Sequence, residues 1–157
     1  MPASPVVSNS TCLISLSATG ELALLEKLFG SLTIPPAVAR ELVSVPIPSW
    51  VRIVPAQNRL FVKALQTQLG AGESEAIALS LSLELKPSTL ILDDKKARRM
   101  ARQVSLRVSG TLSVLLLCKE RGHVPAVRPL LDAILASGFW ASESLVQECL
   151  RQAGESK

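Results

Sequence analysis

Aromatic residues are scarce in this sequence. They make up 3% of its 157 residues, and tyrosine is absent. Such a composition argues against a surface built for stacking the bases of single-stranded nucleic acid. The core must instead be built mainly from leucine, valine, isoleucine and alanine. We therefore expect Trp50 and Trp140 to anchor the core or a dimer interface rather than to stack on bases.

Cysteine and histidine are also rare. The sequence has three cysteines, Cys12, Cys118 and Cys149, and one histidine, His123. Because no C-x-x-C pair is present and the histidine is far from every cysteine, this pattern predicts reduced, structural thiols in a cytoplasmic protein. Signal-peptide patterns and apolar runs long enough to cross a bilayer are lacking too, so we expect no membrane association.

The remaining composition is that of a folded chain. It is 48% hydrophobic and 19% charged, with a formal net charge of +4 and a pI of about 9.3. We expect a single domain over residues 1–157, with loose ends at 1–5 and 154–157. The mild basic balance permits a nucleic-acid partner but does not demonstrate one.

Short apolar runs alternate with helical patterns along the chain. Predicted strands lie at Val6–Ser8, Leu32–Ile34, Trp50–Val54, Thr89–Leu92 and Leu106–Val108, with Trp50–Val54 as an edge strand. A break is predicted at Lys86–Ser88. This alternation is typical of the α/β class, and we predict a three-layer α/β/α sandwich around a central, mainly parallel sheet.

Polar residues follow the predicted strands. The strand ends carry Asn9, Ser10, Thr11, Asp93, Asp94, Ser109, Gly110 and Thr111, and a helix start adds Glu73 and Glu75. Ligands of such sheets bind beyond the carboxyl ends of the strands. Several carboxylates without histidine or cysteine suit a hard cation, Mg²⁺ or Mn²⁺, of the kind that supports displacement at phosphate.

A basic helix follows the acidic pair directly. Its cations are Lys95, Lys96, Arg98, Arg99 and Arg102. Taken alone, such a block is often only a solvated helix face. Beside a cation site, however, it could bind the phosphates of a polyanion, which favours a nucleic-acid substrate over a small phosphate ester.

In this order, five segments carry a resemblance to a known family. They are VVSNSTCLISL at 6–16, IPPAVARELV at 34–43, GAGESEAIALSL at 70–81, LILDDKKARRMA at 90–101 and SGTLSVLLLCKERG at 109–122. The chain resembles PIN-domain proteins of the branch related to VapC-type ribonuclease toxins, over nearly its full length. The resemblance implies a PIN-like fold and a metal-dependent endonuclease that cleaves single-stranded RNA. Such proteins are often homodimers and are sometimes paired with an antitoxin.

The resemblance also implies a set of site residues. The metal ligands and catalytic carboxylates fall on Asn9, Glu41, Glu75 and either Asp93 or Asp94, with Glu75 or Asp94 orienting the attacking water. Neighbouring support would come from Ser10, Thr11, Glu73 and Thr111. Each of these positions also has a local explanation, because acids are favoured in a first helical turn and at helix caps.

One position departs from the family pattern, which has aspartate where this chain has Asn9. Asparagine keeps a carbonyl oxygen that can bind a cation, but it lacks the charge and the second carboxylate oxygen. We therefore expect Asn9 to weaken or abolish the nuclease activity that the resemblance implies. The alternatives are a catalytically inactive PIN-like module that binds RNA or protein, and a structural dimer or antitoxin-bound scaffold without a nucleic-acid role.

Overall fold

The computed structural model describes residues 5–82 and 89–156. Five strands are present: β1 (Val6–Ser8), β2 (Leu32–Ile34), β3 (Val51–Ile53), β4 (Thr89–Ile91) and β5 (Arg107–Ser109). They form one sheet in the order β3-β2-β1-β4-β5, and all neighbouring pairs are parallel. The predicted break at Lys86–Ser88 lies outside the described residues.

Nine helices lie within the described residues. They are α1 (Ser10–Ala18), α2 (Ala23–Phe29), α3 (Pro36–Glu41), α4 (Arg59–Gln66), α5 (Ala71–Ser82), α6 (Lys95–Gln103), α7 (Thr111–Glu120), α8 (Arg128–Ala136) and α9 (Glu143–Gln152). The predicted strands are confirmed, and β3 is the edge strand that we expected. Helix α6 is the basic helix that the sequence predicts directly after the acidic pair.

Two hydrophobic clusters cover the two faces of the sheet. Val7 and Leu90 pack into one cluster with α4, α5 and α6, whereas Ile91 packs into the other with α1, α2, α7, α8 and α9. Successive residues of a strand point to opposite faces, so short apolar strands supply both layers. The result is the predicted three-layer α/β/α fold.

Local sequence signals set several helix boundaries. Pro36 occupies the first position of α3, where its missing N–H costs nothing. The side chains of Asn58, Asp94 and Ser142 cap α4, α6 and α9 by accepting backbone hydrogen bonds. Gly30 ends α2 with a φ of 75°, a conformation that favours glycine.

The carboxyl-terminal end is held more firmly than we expected. Glu155 accepts hydrogen bonds from the backbone N–H groups of Val127 and Arg128, at 2.7 and 2.9 Å. Its carboxylate also forms an ion pair with Lys119 at 2.9 Å. We expected a loose end from residue 154, and in the structure the Glu155 carboxylate provides acceptors for the start of α8.

Candidate functional site

The first and fourth strands bring Asn9 and Asp93 to the same edge of the sheet. Strands β1 and β4 are neighbours with Ser8 opposite Ile91, and the Asn9 N–H donates to the Ile91 carbonyl at 2.9 Å. Asn9 is almost completely buried, whereas Asp93 is half-buried. The sequence predicts polar groups from the strand ends at one edge of the sheet, and this parallel pairing places Asn9 and Asp93 there.

Three side chains form an amide–acid cluster, defined here as Asn9, Glu41 and Glu73. The Asn9 amide donates from Nδ2 to Glu73 Oε2 at 3.1 Å. A side-chain carbon added at Gly72 would lie 2.7 and 2.8 Å from the two carboxylate oxygens of Glu41 and 3.0 Å from Asn9 Oδ1. These oxygens therefore converge on a space that only a glycine at position 72 leaves open. Ser10 supports the cluster by donating to Glu41 Oε1 at 2.8 Å.

The amide oxygen of Asn9 is the unusual atom of the cluster. It is buried and accepts no hydrogen bond from any residue that the structure describes. A buried polar atom without a partner carries a desolvation cost of about 1–3 kcal/mol. Together with the Glu41 carboxylate it offers oxygen ligands of the type that Mg²⁺ and Mn²⁺ prefer, so these residues fit part of a hard-cation site.

The cluster does not form a complete set of acidic ligands. Within residues 5–82 and 89–156, no three histidine, cysteine, aspartate or glutamate side chains are grouped so that they could hold a metal ion. Asn9 occupies the central position without contributing a charge. The geometry therefore shows an incomplete oxygen site rather than a closed carboxylate cage.

Glu75 lies apart from the amide–acid cluster in its contacts. Its Oε1 accepts from the Ala37 backbone N–H at 3.0 Å, and its Oε2 pairs with Arg59 at 3.2 Å. The side chain is 96% buried, and both of its oxygens already have donors. The structure thus gives Glu75 a role in tying α5 to α3 and α4, and it brings Glu73 to Asn9 instead.

Asp93 is held by the start of α7. The Thr111 N–H donates to Asp93 Oδ1 at 2.9 Å, and the Thr111 hydroxyl donates to Oδ2 at 2.6 Å. Cys12 lies beneath this pair; burial, together with the charge of Asp93, raises the pKa of its thiol to about 12. The Asp93 carboxylate is therefore fixed in position at the end of β4.

The neighbouring acid, Asp94, has a different position. Its Oδ2 accepts from the Ala97 N–H at 2.9 Å and caps α6. Asp94 thus acts as the helix cap that the sequence offered as its local role. Thr11, which we expected near the ligands, makes no side-chain hydrogen bond within the part of the chain that is described.

Helix α6 presents positive charge next to Asp93. Its sequence, KKARRMARQ, contains no acidic residue, and Lys95, Lys96, Arg99 and Arg102 are exposed. Arg98 is half-buried and donates from Nη1 to the Leu92 carbonyl at 3.1 Å. Burial, and then the charge of Arg102, lowers the pKa of Arg98, while Asp93 acts in the opposite direction.

A groove of about 790 Å³ runs past these residues. It is lined by Asp93, Lys95, Arg98 and Arg102 and by part of the segment between α8 and α9, including Trp140.

Sequence reasoning did not assign Arg59 or Trp140 to this region. Arg59 directly follows a helix cap, where a positive charge interacts unfavourably with the helix dipole. This unfavourable position is the one sequence signal that could have indicated an acidic partner for Arg59.

Together, the fold and the site define an α/β protein whose parallel sheet carries acidic and amide oxygens at one edge beside a cationic helix. The chain belongs to the PIN-domain family, because a model of that family matches residues 5–155. PIN domains have a nuclease-type fold and generally depend on a divalent metal. No match is found among curated proteins. Among the described helices, none has the length and apolar character needed to cross a membrane.

Proposed function

We propose that this protein is a metal-dependent endonuclease that cleaves single-stranded RNA, in the manner of VapC-type toxins, with activity weakened by asparagine at position 9. The observation that carries the proposal is the partnerless, buried Oδ1 of Asn9 beside the Glu41 carboxylate. A polar atom in that position calls for a cationic partner, and the oxygens around it suit Mg²⁺ or Mn²⁺.

Each residue of the site has a distinct part in this proposal. Asn9 and Glu41 hold the cation, and Glu73 fixes the Asn9 amide so that its oxygen faces Glu41. Asp93, oriented by Thr111, adds negative charge and a base that can orient a water molecule. The bound cation would supply charge neutralisation at the scissile phosphate.

Glu75 and Asp94 are given supporting parts. The Arg59 guanidinium already neutralises Glu75, and Asp94 already caps α6. If either took part directly in cleavage, it would first have to leave these partners. We therefore assign orientation of the water molecule to Asp93 rather than to Glu75 or Asp94.

The exposed cations of α6 hold the RNA backbone. Lys95, Lys96, Arg99 and Arg102 have no ion-pair partner within the described residues, so they are free to neutralise phosphates. Arg98 lies close to Asp93, because a side-chain carbon added at Gly110 would lie 2.6 Å from Arg98 Nη1 and 3.0 Å from Asp93 Oδ1. It can therefore contact the phosphate closest to the acids.

A second candidate function is a PIN-like module that binds RNA or protein without cleaving. The hydrogen bond from Asn9 to Glu73 favours this alternative, because an amide donor satisfies a carboxylate that a cation would otherwise neutralise. The Arg59–Glu75 ion pair also favours this alternative, because Arg59 neutralises a carboxylate that could otherwise bind a cation. Binding by α6 would persist in such a protein, since its cations do not depend on the amide–acid cluster.

The two candidates are separated by restoring the family's aspartate. Purified wild-type protein and the Asn9→Asp variant are incubated with single-stranded RNA and Mn²⁺, and cleavage and Mn²⁺ binding are measured. The nuclease proposal predicts faster cleavage and tighter Mn²⁺ binding by Asn9→Asp. Glu41→Gln in the same background should abolish the gain, whereas Asn58→Asp, an identical change at the cap of α4, should leave cleavage at the wild-type level. Absence of both cleavage and Mn²⁺ binding in every variant would favour the non-cleaving module.

We further propose that the protein forms a homodimer in the cytoplasm and that an antitoxin protein regulates it. These proposals rest on the family resemblance. Sedimentation of the purified chain at micromolar concentration tests the dimer, and a monomer mass across that range would contradict it. Co-purification from the native host under reducing conditions, followed by mass spectrometry, tests the antitoxin.

A further inference from the structure

We propose that Trp140 is a base-stacking platform, which binds an unpaired base of the nucleic acid whose phosphates contact α6. This inference rests on the proposed function, because it names a specificity-determining residue for the same site. It also revises the expectation that Trp140 anchors the core or a dimer interface. Scarcity of aromatic residues argued against an extended stacking surface, but a single tryptophan is enough for one base.

The exposure of Trp140 sets it apart from the other aromatic residues. Its side chain is 80% exposed, whereas Trp50 and the adjacent Phe139 are half-buried and pack against the core. Leaving a large indole in water forfeits the free energy that its burial would provide. An indole without a core role is therefore available for a ligand.

The backbone holds Trp140 in place on both sides. On the amino-terminal side, the Phe139 N–H donates to the Ile134 carbonyl at 3.1 Å, and the Phe139 ring packs on the core. On the carboxyl-terminal side, Ser142 caps α9 by accepting from the Leu145 N–H at 3.2 Å. The connection between α8 and α9 is short and anchored, so little ordering is needed when a base stacks on the indole.

The groove that Trp140 lines has the charge pattern of a nucleic-acid site. Lys95, Arg98 and Arg102 line the same groove, together with Asp93. Single-stranded nucleic acid combines phosphates, which such cations bind, with bases whose faces stack on an aromatic ring. A double helix does not fit this combination, because its bases already stack on one another.

The test measures binding apart from cleavage. Affinity for an eight-nucleotide single-stranded RNA is determined in EDTA for the wild type, Trp140→Ala and Trp140→Phe. A base-free ribose-phosphate oligomer of the same length serves as a second probe. Leu60→Ala is the matched control, because Leu60 is an 81% exposed apolar side chain on α4, away from the groove. A Trp50→Phe background leaves Trp140 as the only tryptophan, so fluorescence quenching by RNA reports on its ring directly.

Trp140→Ala is expected to weaken RNA binding by about 5- to 100-fold, while Trp140→Phe retains most of the affinity. Binding of the base-free oligomer should not change in either variant, and Leu60→Ala should match the wild type. Unchanged RNA affinity in Trp140→Ala would overturn this inference and leave the proposed function intact. Loss of a dimer in that variant, without a loss of RNA affinity, would identify Trp140 as a subunit contact and also overturn it. A wild type that binds neither probe would overturn the proposed function and the inference together.

Discussion

Replacing Asn9 with aspartate should destabilise the protein when no divalent cation is present. The wild-type amide donates a hydrogen bond to Glu73 at 3.1 Å, and the substitution removes that donor. It also places a second carboxylate against Glu73, close to the Glu41 oxygens. A hydrogen bond to a charged group contributes about 1.5–3 kcal/mol, so we expect a loss of about 2 kcal/mol in the free energy of unfolding. For a chain of this length, that loss corresponds to a Tm lowered by about 4–8 °C.

A divalent cation should reverse this loss. The new carboxylate completes an oxygen site with Glu41, and a ligand that binds only the folded state stabilises it in proportion to the logarithm of its concentration. Mn²⁺ at about 100 times its Kd adds about 2.7 kcal/mol, which would offset the destabilisation. The wild type should gain less, because its neutral amide attracts a cation more weakly.

Differential scanning fluorimetry in EDTA and across a Mn²⁺ titration measures both effects. Asn58→Asp is the matched control. It makes the same chemical change where the side chain accepts from the Phe61 N–H, a role that aspartate also fulfils. Its Tm should stay near that of the wild type in both conditions. If Asn9→Asp is as stable as the wild type in EDTA, the hydrogen bond to Glu73 does not have the role assigned to it.

Three further outcomes follow from the structure. Gly72→Ala should abolish Mn²⁺ binding with little change in Tm, because its methyl group would displace the exposed carboxylate of Glu41 while alanine favours the helix. Hydrogen bonds from the Val127 N–H and the Lys119 ammonium lower the pKa of Glu155 to about 2. The stability that Glu155 contributes is therefore complete above about pH 4.5 and is lost as the pH falls toward 2. The Tm deficit of Glu155→Gln should accordingly be largest at neutral pH and shrink over that range. Burial raises the pKa of all three thiols, Cys12, Cys118 and Cys149. Native protein at pH 8 should therefore be alkylated slowly by iodoacetamide, and unfolding in urea should speed the alkylation of all three.

Strand positions could be predicted from the sequence because each strand is a short apolar run between strong local signals. Val6–Ser8 ends at a polar stretch, and Pro35–Pro36 closes the run at Leu32–Ile34. Parallel pairing then places Asn9 and Asp93 at one edge without any further information. The fold class and the meeting of these two residues at one sheet edge were thus accessible from pattern alone.

The choice among neighbouring acids was not accessible in that way. Glu73 and Glu75 are two residues apart on α5, and residues with this spacing face different sides of a helix. Which side meets Asn9 depends on how α5 packs against α3 and α4, which is a tertiary property. Asp93 and Asp94 pose the same problem, because either can cap α6 and the contact with Thr111 decides between them.

The exposure of Trp140 could not be predicted for a related reason. Amino-acid composition describes the whole chain and says nothing about where a single aromatic side chain is placed. Phe139 and Trp140 are adjacent, yet one packs on the core and the other enters solvent. The difference comes from the connection between α8 and α9, which has no periodic pattern from which orientation could be read.

The contacts of the acids explain how the site can persist with a neutral residue at its centre. Glu75 is neutralised by Arg59, Asp93 is held by Thr111, and Glu73 accepts from Asn9. A buried or half-buried carboxylate with its own donors does not need a cation to make folding favourable. Asparagine at position 9 supplies one of those donors, so we expect it to favour the stability of the cation-free protein over the proposed cation affinity. The proposed metal site therefore predicts that substitution at position 9 changes folding stability and metal affinity in opposite directions.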